Sequence, residues 1–231
     1  MTDIAALADR DACVAADEAD PLAPFRAEFL LPEGVIYLDG NSLGALPRGA
    51  SERAREVLEE EWGRDLIGSW NKHHWFELPA RIGAKLGRLI GAGEGGCVAT
   101  DTTSVNVFKT LAAALRIQRE DHPARRVIVS ERENFPTDLY MAEGLIELLG
   151  EVEGSRYELR LVDDEASLAA ALGDDVAVVM LTHVNYRSGR MWAMDRITRL
   201  AQEAGSLMIW DLCHSAGAVP VDLTAAGADF A

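Results

Sequence analysis

From residue 97 to residue 212, short runs rich in β-branched residues alternate with stretches of helical character. The runs are 97–99, 126–130, 159–162, 176–181 and 207–212, and the stretches between them are 104–118, 137–149, 166–172 and 195–204. Strand and helix repeated in this way close through right-handed crossovers, so the pattern predicts βαβ units and a mainly parallel sheet. The runs are apolar at consecutive positions rather than at every second one, so helices are expected on both faces of the sheet. The expected fold class is α/β. Upstream, the chain reads as helices at 48–62 and 76–90 with loops around one short strand at 35–38. We expect an N-terminal arm and first strand over 1–46, then a large domain over 47–231.

The 231 residues, 48% of them hydrophobic, suffice for a substantial core and argue against disorder. A formal net charge of −16 disfavours phosphate backbones and anionic lipid surfaces, so neither nucleic acid nor membrane is expected as a partner. No run approaches the ~18 consecutive apolar residues of a membrane helix. The first 26 residues carry Asp3, Asp9, Asp11, Asp17, Glu18 and Asp20, unlike the basic and apolar segments of a secretion signal. Cys13, Cys97 and Cys213 are far apart and lack metal-ligand spacing, which suits a reducing cytoplasm. His73 and His74 have no third ligand at metal-like spacing, so no metal is expected. Acidic clusters at 59–61 and 163–165 read as solvated helix ends.

In a parallel α/β sheet the ligand crevice lies at the carboxyl ends of the strands. The residues after each run are therefore the candidates. Gly91-Ala92-Gly93-Glu94-Gly95-Gly96 has the dinucleotide-loop spelling, but it follows a helix and precedes a run. The phosphate chemistry needs the reverse order, so this is read as a helix-to-strand turn. Thr102, Thr103 and Ser104 open the helix after run 97–99. Free amides, the helix dipole and hydroxyls would suit a phosphate there, while plain N-capping explains the same residues. Phe135, between a strand and Pro136, could face a planar ligand or pack beneath the next helix. Asp138 falls in that helix's first turn, where an acid is favoured anyway. Asp211 ends an apolar strand, and a buried carboxylate needs a partner such as a protonated ring nitrogen. His214 could bond Asp211 or the same ligand. Cys213 has no basic neighbour to activate it and reads as a small packed residue.

A helix-terminus anion site, an aromatic plate and an acid for a ring nitrogen describe a pyridoxal phosphate site. The chain resembles the kynureninases, fold type I enzymes of the aspartate-aminotransferase-like superfamily. The resemblance rests on Tyr37-Leu-Asp-Gly-Asn-Ser-Leu-Gly44, Thr100-Asp-Thr-Thr-Ser104, Asn134-Phe-Pro-Thr-Asp-Leu-Tyr140, Leu181-Thr-His-Val-Asn-Tyr186 and Trp210-Asp-Leu-Cys-His-Ser-Ala-Gly-Ala-Val-Pro-Val-Asp222. It implies pyridoxal 5'-phosphate as cofactor, with its phosphate at Thr103 and Ser104. Phe135 would stack on the ring, and Pro136, Thr137 and Asp138 would line the pocket. Thr182 would touch the cofactor, Asp211 would pair with the ring nitrogen, and His214 would support the ring substituents. Asn41, Ser42 and Trp70 would approach the substrate. The implied reaction is hydrolysis of L-kynurenine to anthranilate and L-alanine in tryptophan catabolism, by a cytoplasmic homodimer, with 3-hydroxykynurenine as a second candidate substrate.

The resemblance also implies what lies outside the sequence. The Schiff-base lysine is expected beyond Ala231, since Lys72, Lys85 and Lys109 do not match its place, and the C-terminal small domain is expected there too. On that reading the chain is the N-terminal portion of a kynureninase, with an incomplete large domain and no activity alone. Two other readings remain: another fold type I enzyme of the cysteine desulfurase or selenocysteine lyase type, or a truncated, non-catalytic protein that binds a partner.

Overall fold

The computed structural model describes residues 9–154 and 156–231, so Asp3 lies outside the described residues. The chain divides into two compact units, Met1–Phe76 and Glu77–Ala231.

In the first unit, α1 (Arg10–Ala19) is capped by Asp9, whose carboxylate accepts from the Ala12 amide at 2.9 Å. The two-residue strands β1 (Phe29–Leu30) and β2 (Leu46–Pro47) pair antiparallel. Helix α2 (Arg48–Glu56) widens into a π-helical stretch, Val57–Trp62, and a short α3 (Ser69–Lys72) follows. The expected strand at 35–38 does not form. Among the described residues it has no ladder partner, and Ile36 and Leu38 stand 86% and 90% exposed. The Tyr37 hydroxyl instead donates to the carbonyls of Asp39 and Leu43, closing a local turn. A lone run cannot satisfy its own backbone groups as a strand, whatever its β propensity. Glu61 also departs from the solvated helix end expected for 59–61. It is buried, and it accepts from Trp75 Nε1 at 2.6 Å and pairs with Arg53 at 2.6 Å.

The second unit begins with α4 (Leu78–Leu89) and α5 (Thr103–Asp121). Then come β3 (Val127–Glu131), α6 (Pro136–Glu153), β4 (Glu158–Val162), α7 (Glu165–Ala171), β5 (Val176–Thr182), α8 (Met194–Glu203), β6 (Leu207–Asp211) and α9 (Leu223–Ala226). The four strands form one parallel sheet in the order β4-β3-β5-β6. Right-handed crossovers dictate the layering. The step from β3 to β4 runs one way along the sheet and puts α6 on one face. The steps from β4 to β5 and from β5 to β6 run the other way and put α7 and α8 on the opposite face. Two cores result. Leu111, Leu115, Ala142 and Leu145 pack on Ile128, Val178 and Met180 beneath α5 and α6. Leu168, Ile197 and Ala201 pack on Val129, Val179 and Trp210 beneath α7 and α8. The α/β fold with helices on both faces is thus borne out.

The expected strand at 97–99 is corrected as well. Its one backbone bond among the described residues runs from the Ala99 amide to the Pro79 carbonyl, 3.1 Å. The outer side of β6 is taken instead by Phe230, whose amide and carbonyl bond Met208 and Trp210. Residues 97–99 therefore find no sheet neighbour. The glycine-rich stretch is a turn, as read. Gly91 has φ +64°, and Cα of Asp222 lies 2.6 Å from where a side chain on Gly91 would start. The carbonyls of Ile90 and Gly91 accept from the amides of Leu223 and Thr224. At Gly91 that loop is a packing element, held against the start of α9.

Candidate cofactor-binding site

The connections switch sides between β3 and β5: the one after β3 leaves to one face and the one after β5 to the other. A crevice opens at the carboxyl ends of two such strands. The residues following β3, β5 and β6 converge there.

Thr102 caps α5, so Thr103 and Ser104 occupy its first two positions, where amides have no partner inside the helix. Asp101 just before it has φ +41°, a left-handed conformation that aspartate tolerates better than most residues. Its carboxylate binds Thr100 Oγ1 and Lys109 Nζ, and the lysine contact holds its pKa below the ordinary carboxylate value. Thr103 Oγ1 lies 3.2 Å from Cys213 Sγ, which ties the start of α5 to the segment after β6.

Phe135 caps α6 with its ring partly exposed, and Pro136 occupies the first helical position, where a missing amide costs nothing. The Asn134 side chain fixes the approach. Its Oδ1 accepts from the Phe135 amide at 2.7 Å, and its Nδ2 donates to Ser130 Oγ at 3.2 Å. Thr137 is half-buried, and Asp138, one position on, is 1% exposed.

Thr182, at the end of β5, joins three acceptors. Its hydroxyl lies 3.1 Å from Asp211 Oδ2 and 3.5 Å from Asp138 Oδ2, and it also contacts Asn134 Oδ1. Thr182 has one proton to give, and the Asn134 oxygen is already oriented by the Phe135 amide. A second proton therefore belongs on the carboxyl pair. Asp138 carries it: burial first, then the negative charge of Asp211, pushes its pKa up to about 7. Asp211 is itself buried, and its Oδ1 accepts from the Cys213 amide at 2.8 Å. The interactions described for the pair are with hydroxyl, amide and thiol groups and with each other, and none is with a cation.

His214 does not bond Asp211. Its Nδ1 lies 3.2 Å from the Val184 carbonyl, and its ring stands 6.5 Å from Phe135 and 6.4 Å from Tyr186. Cys213 is exposed rather than packed. Partial burial and the nearby Asp211 push its thiol up to about 11, which disfavours the reactive thiolate. Sequence reasoning missed Asn134 and Tyr186 as separate participants, although both stand in the quoted stretches; the available signal was a polar or aromatic residue just past a buried strand. Asn41, Ser42 and Trp70 belong to the first unit, where Ser42 Oγ donates to Asp39 at 2.7 Å. Among the described residues no three His, Cys, Asp or Glu side chains cluster as metal ligands.

The unpaired acids carry a prediction. Asp138 has a raised pKa when folded, so the folded state binds the extra proton, and stability falls as pH rises from about 4 to about 7. Asp138→Asn removes that cost. Thermal melts of the ligand-free chain should coincide for parent and variant near pH 4 and separate towards pH 8, with the variant more stable by up to a few kcal/mol (~1.4 per pKa unit). Equal pH profiles would contradict the shared-proton arrangement.

The aminotransferase class-V family description matches residues 150–231. Kynureninase from Burkholderia pseudomallei strain 1106a is 59% identical over 220 residues, which cover 95% of this chain and 52% of that protein. Kynureninase from Pseudomonas fluorescens is 58% identical over 222 residues, 96% of this chain and 52% of that protein. Over nearly its whole length the chain is similar to these kynureninases. It spans about half the length of the curated kynureninases it matches. Solved structures agree on the fold. A mutant of the cystine C–S lyase C-DES, with glycine covalently linked to its pyridoxal phosphate cofactor, gives a TM-score of 0.70 at 18% identity, over 89% of this chain and 54% of that one. The apo cysteine desulfurase from Thermococcus onnurineus NA1 gives 0.67 at 20% identity, over 89% and 52%. Both share the fold of this chain.

Proposed function

We propose that this chain builds the pyridoxal phosphate pocket of a kynureninase that hydrolyses L-kynurenine to anthranilate and L-alanine. The observation that carries the pocket is the buried pair Asp138 and Asp211, two carboxyls with no cationic side chain among their described partners, beside a partly exposed aromatic ring and a helix N-terminus. A ring cation with a phosphate tail fits that set. Asp211 would hold a proton on the ring nitrogen, and Asp138, released from its own proton as the cation arrives, would add a second negative charge. Thr182 would keep both carboxyls in place. Phe135 would cover one ring face and keep water from it, with Pro136 and Thr137 shaping the rim. Thr103 and Ser104 would bind the phosphate by their amides and hydroxyls. His214, anchored to the Val184 carbonyl, would stand beside the ring substituents.

When bound, the cofactor supplies an electron sink for negative charge developing on the substrate. The cysteine desulfurase reading shares the fold but only about a fifth of the residues, whereas the kynureninases share well over half. Exposed Ile36, Leu38 and Ile67 in the first unit support an unpartnered apolar surface, consistent with a homodimer. The test assays the whole protein to which this chain belongs, loaded with cofactor, on L-kynurenine and on L-cysteine. Anthranilate fluorescence without sulfide release is expected. Sulfide without anthranilate would overturn the reading.

A further inference from the structure

Glu131, the last residue of β3, is buried, yet the proposed chemistry leaves it unused. Its carboxylate accepts from Arg190 Nη2 at 2.5 Å, Asn185 Nδ2 at 3.2 Å and Trp192 Nε1 at 3.2 Å. All three donors come from one hairpin-like segment. In it Val184 and Met191 pair antiparallel, the Asn185 amide bonds the Arg190 carbonyl, and the Trp192 amide bonds the His183 carbonyl. The Arg190 guanidinium lies 4.2 Å from the Trp192 ring centroid, so the cation is held by a ring face as well as by the carboxylate. Asn185 carries the clamp to the tip. Its Nδ2 also donates to the Glu133 carbonyl, while its Oδ1 accepts from the amides of Arg187 and Ser188.

The residue held between these anchors is Tyr186. Its ring meets Phe135 edge-on, with centroids 5.2 Å apart and planes at 72°. Phe135 caps α6 on a backbone that Asn134 already fixes, so its remaining freedom is the tilt of the ring, and Tyr186 stands where it limits that tilt. We propose that Glu131 is a positioning residue: by gripping Asn185 and Arg190 it holds Tyr186 against Phe135 and sets the ring face presented to the crevice. The proposal rests on the pyridoxal phosphate reading for the ligand, but the grip on the hairpin is testable without any ligand.

Two readouts separate these parts. The first is trypsin cleavage after Arg187, an exposed site whose neighbouring backbone is tied to Asn185. The second is affinity for deoxypyridoxine phosphate, a cofactor analogue without the aldehyde, which cannot react with Lys72, Lys85 or Lys109. Glu131→Gln should speed cleavage about tenfold through local opening. It should weaken the analogue as much as Tyr186→Ala does, and the double variant should be no weaker than Tyr186→Ala alone. Arg190→Gln breaks the same pair from its more exposed side and should reproduce both effects should Glu131→Gln fail to fold. Unchanged cleavage, or losses that multiply in the double variant, would overturn the positioning role. If the unmodified chain does not bind the analogue, the slot falls together with the role given to Phe135, and cleavage still reports whether Glu131 holds the hairpin.

Discussion

Asp211→Asn is expected to weaken binding of deoxypyridoxine phosphate to this chain by about a hundredfold while leaving the fold intact. Asparagine keeps the shape: its oxygen can still accept from the Cys213 amide, and its amino group can donate to the Thr182 hydroxyl, which then turns its own proton to Asn134, so the main loss is the charge. Removing one member of a buried, hydrogen-bonded charge pair costs about 2–5 kcal/mol, and each ~1.4 kcal/mol is a factor of ten. The effect is large because the acid and the ring cation would meet out of water, where Coulomb attraction is little screened. Fluorescence titration gives the affinity, and a thermal melt of each variant separates lost binding from lost folding. An affinity within about threefold of the parent would remove Asp211 from the site.

Gly83→Ala is expected to destabilise the second unit by about 3 kcal/mol, whereas Gly87→Ala is expected to be neutral or stabilising. Both glycines are buried on α4 one turn apart, so they share a face. A methyl on Gly83 would start 2.7 Å from the Cys97 carbonyl carbon and from Val98 Cα, backbone atoms that cannot swing aside. On Gly87 it would lie 3.4 Å from Cys97 Cβ, close to ordinary contact. The helix-propensity gain of about 1 kcal/mol is the same in both, so the difference isolates the clash. Urea unfolding of the two variants measures it, and equal midpoints would contradict the close approach. The contact matters for function because residues 97–99, lacking a sheet neighbour, lead directly to the start of α5. Glycine lets α4 come within backbone distance of that segment and buttress it.

The sheet was legible because its strands are apolar on both faces and are separated by helix-length stretches. In that situation local pattern and burial point the same way. The runs at 35–38 and 97–99 misled because they have β propensity without a partner, and strand formation is decided by neighbours rather than by the run itself. Thr103, Ser104, Phe135, Asp138, Thr182 and Asp211 were legible as residues following strands or opening helices. Their mutual arrangement was not: that one threonine joins two acids separated by 73 residues along the chain is a property of the strand order, which places β5 between β3 and β6. Of the two partners the sequence left open for His214, Asp211 is not the one it bonds, for the same reason. Sequence proximity suggested the acid, whereas the fold brings the Val184 carbonyl nearer. Glu131 stood among the residues following a run but was not singled out, because a glutamate at a strand end resembles any solvent-facing acid until its three donors are seen.

The central claim is that Asp211, with Asp138 behind it, keeps a pyridine ring protonated inside this chain. Its most direct test is the magnetic-resonance shift of an isotope-labelled ring nitrogen in deoxypyridoxine phosphate bound to the unmodified chain. The spectrum is taken at a pH above that at which the free analogue loses its ring proton. The pocket described here predicts the shift of a protonated nitrogen, and a return to the unprotonated value in Asp211→Asn. An unprotonated nitrogen in the unmodified complex would contradict it.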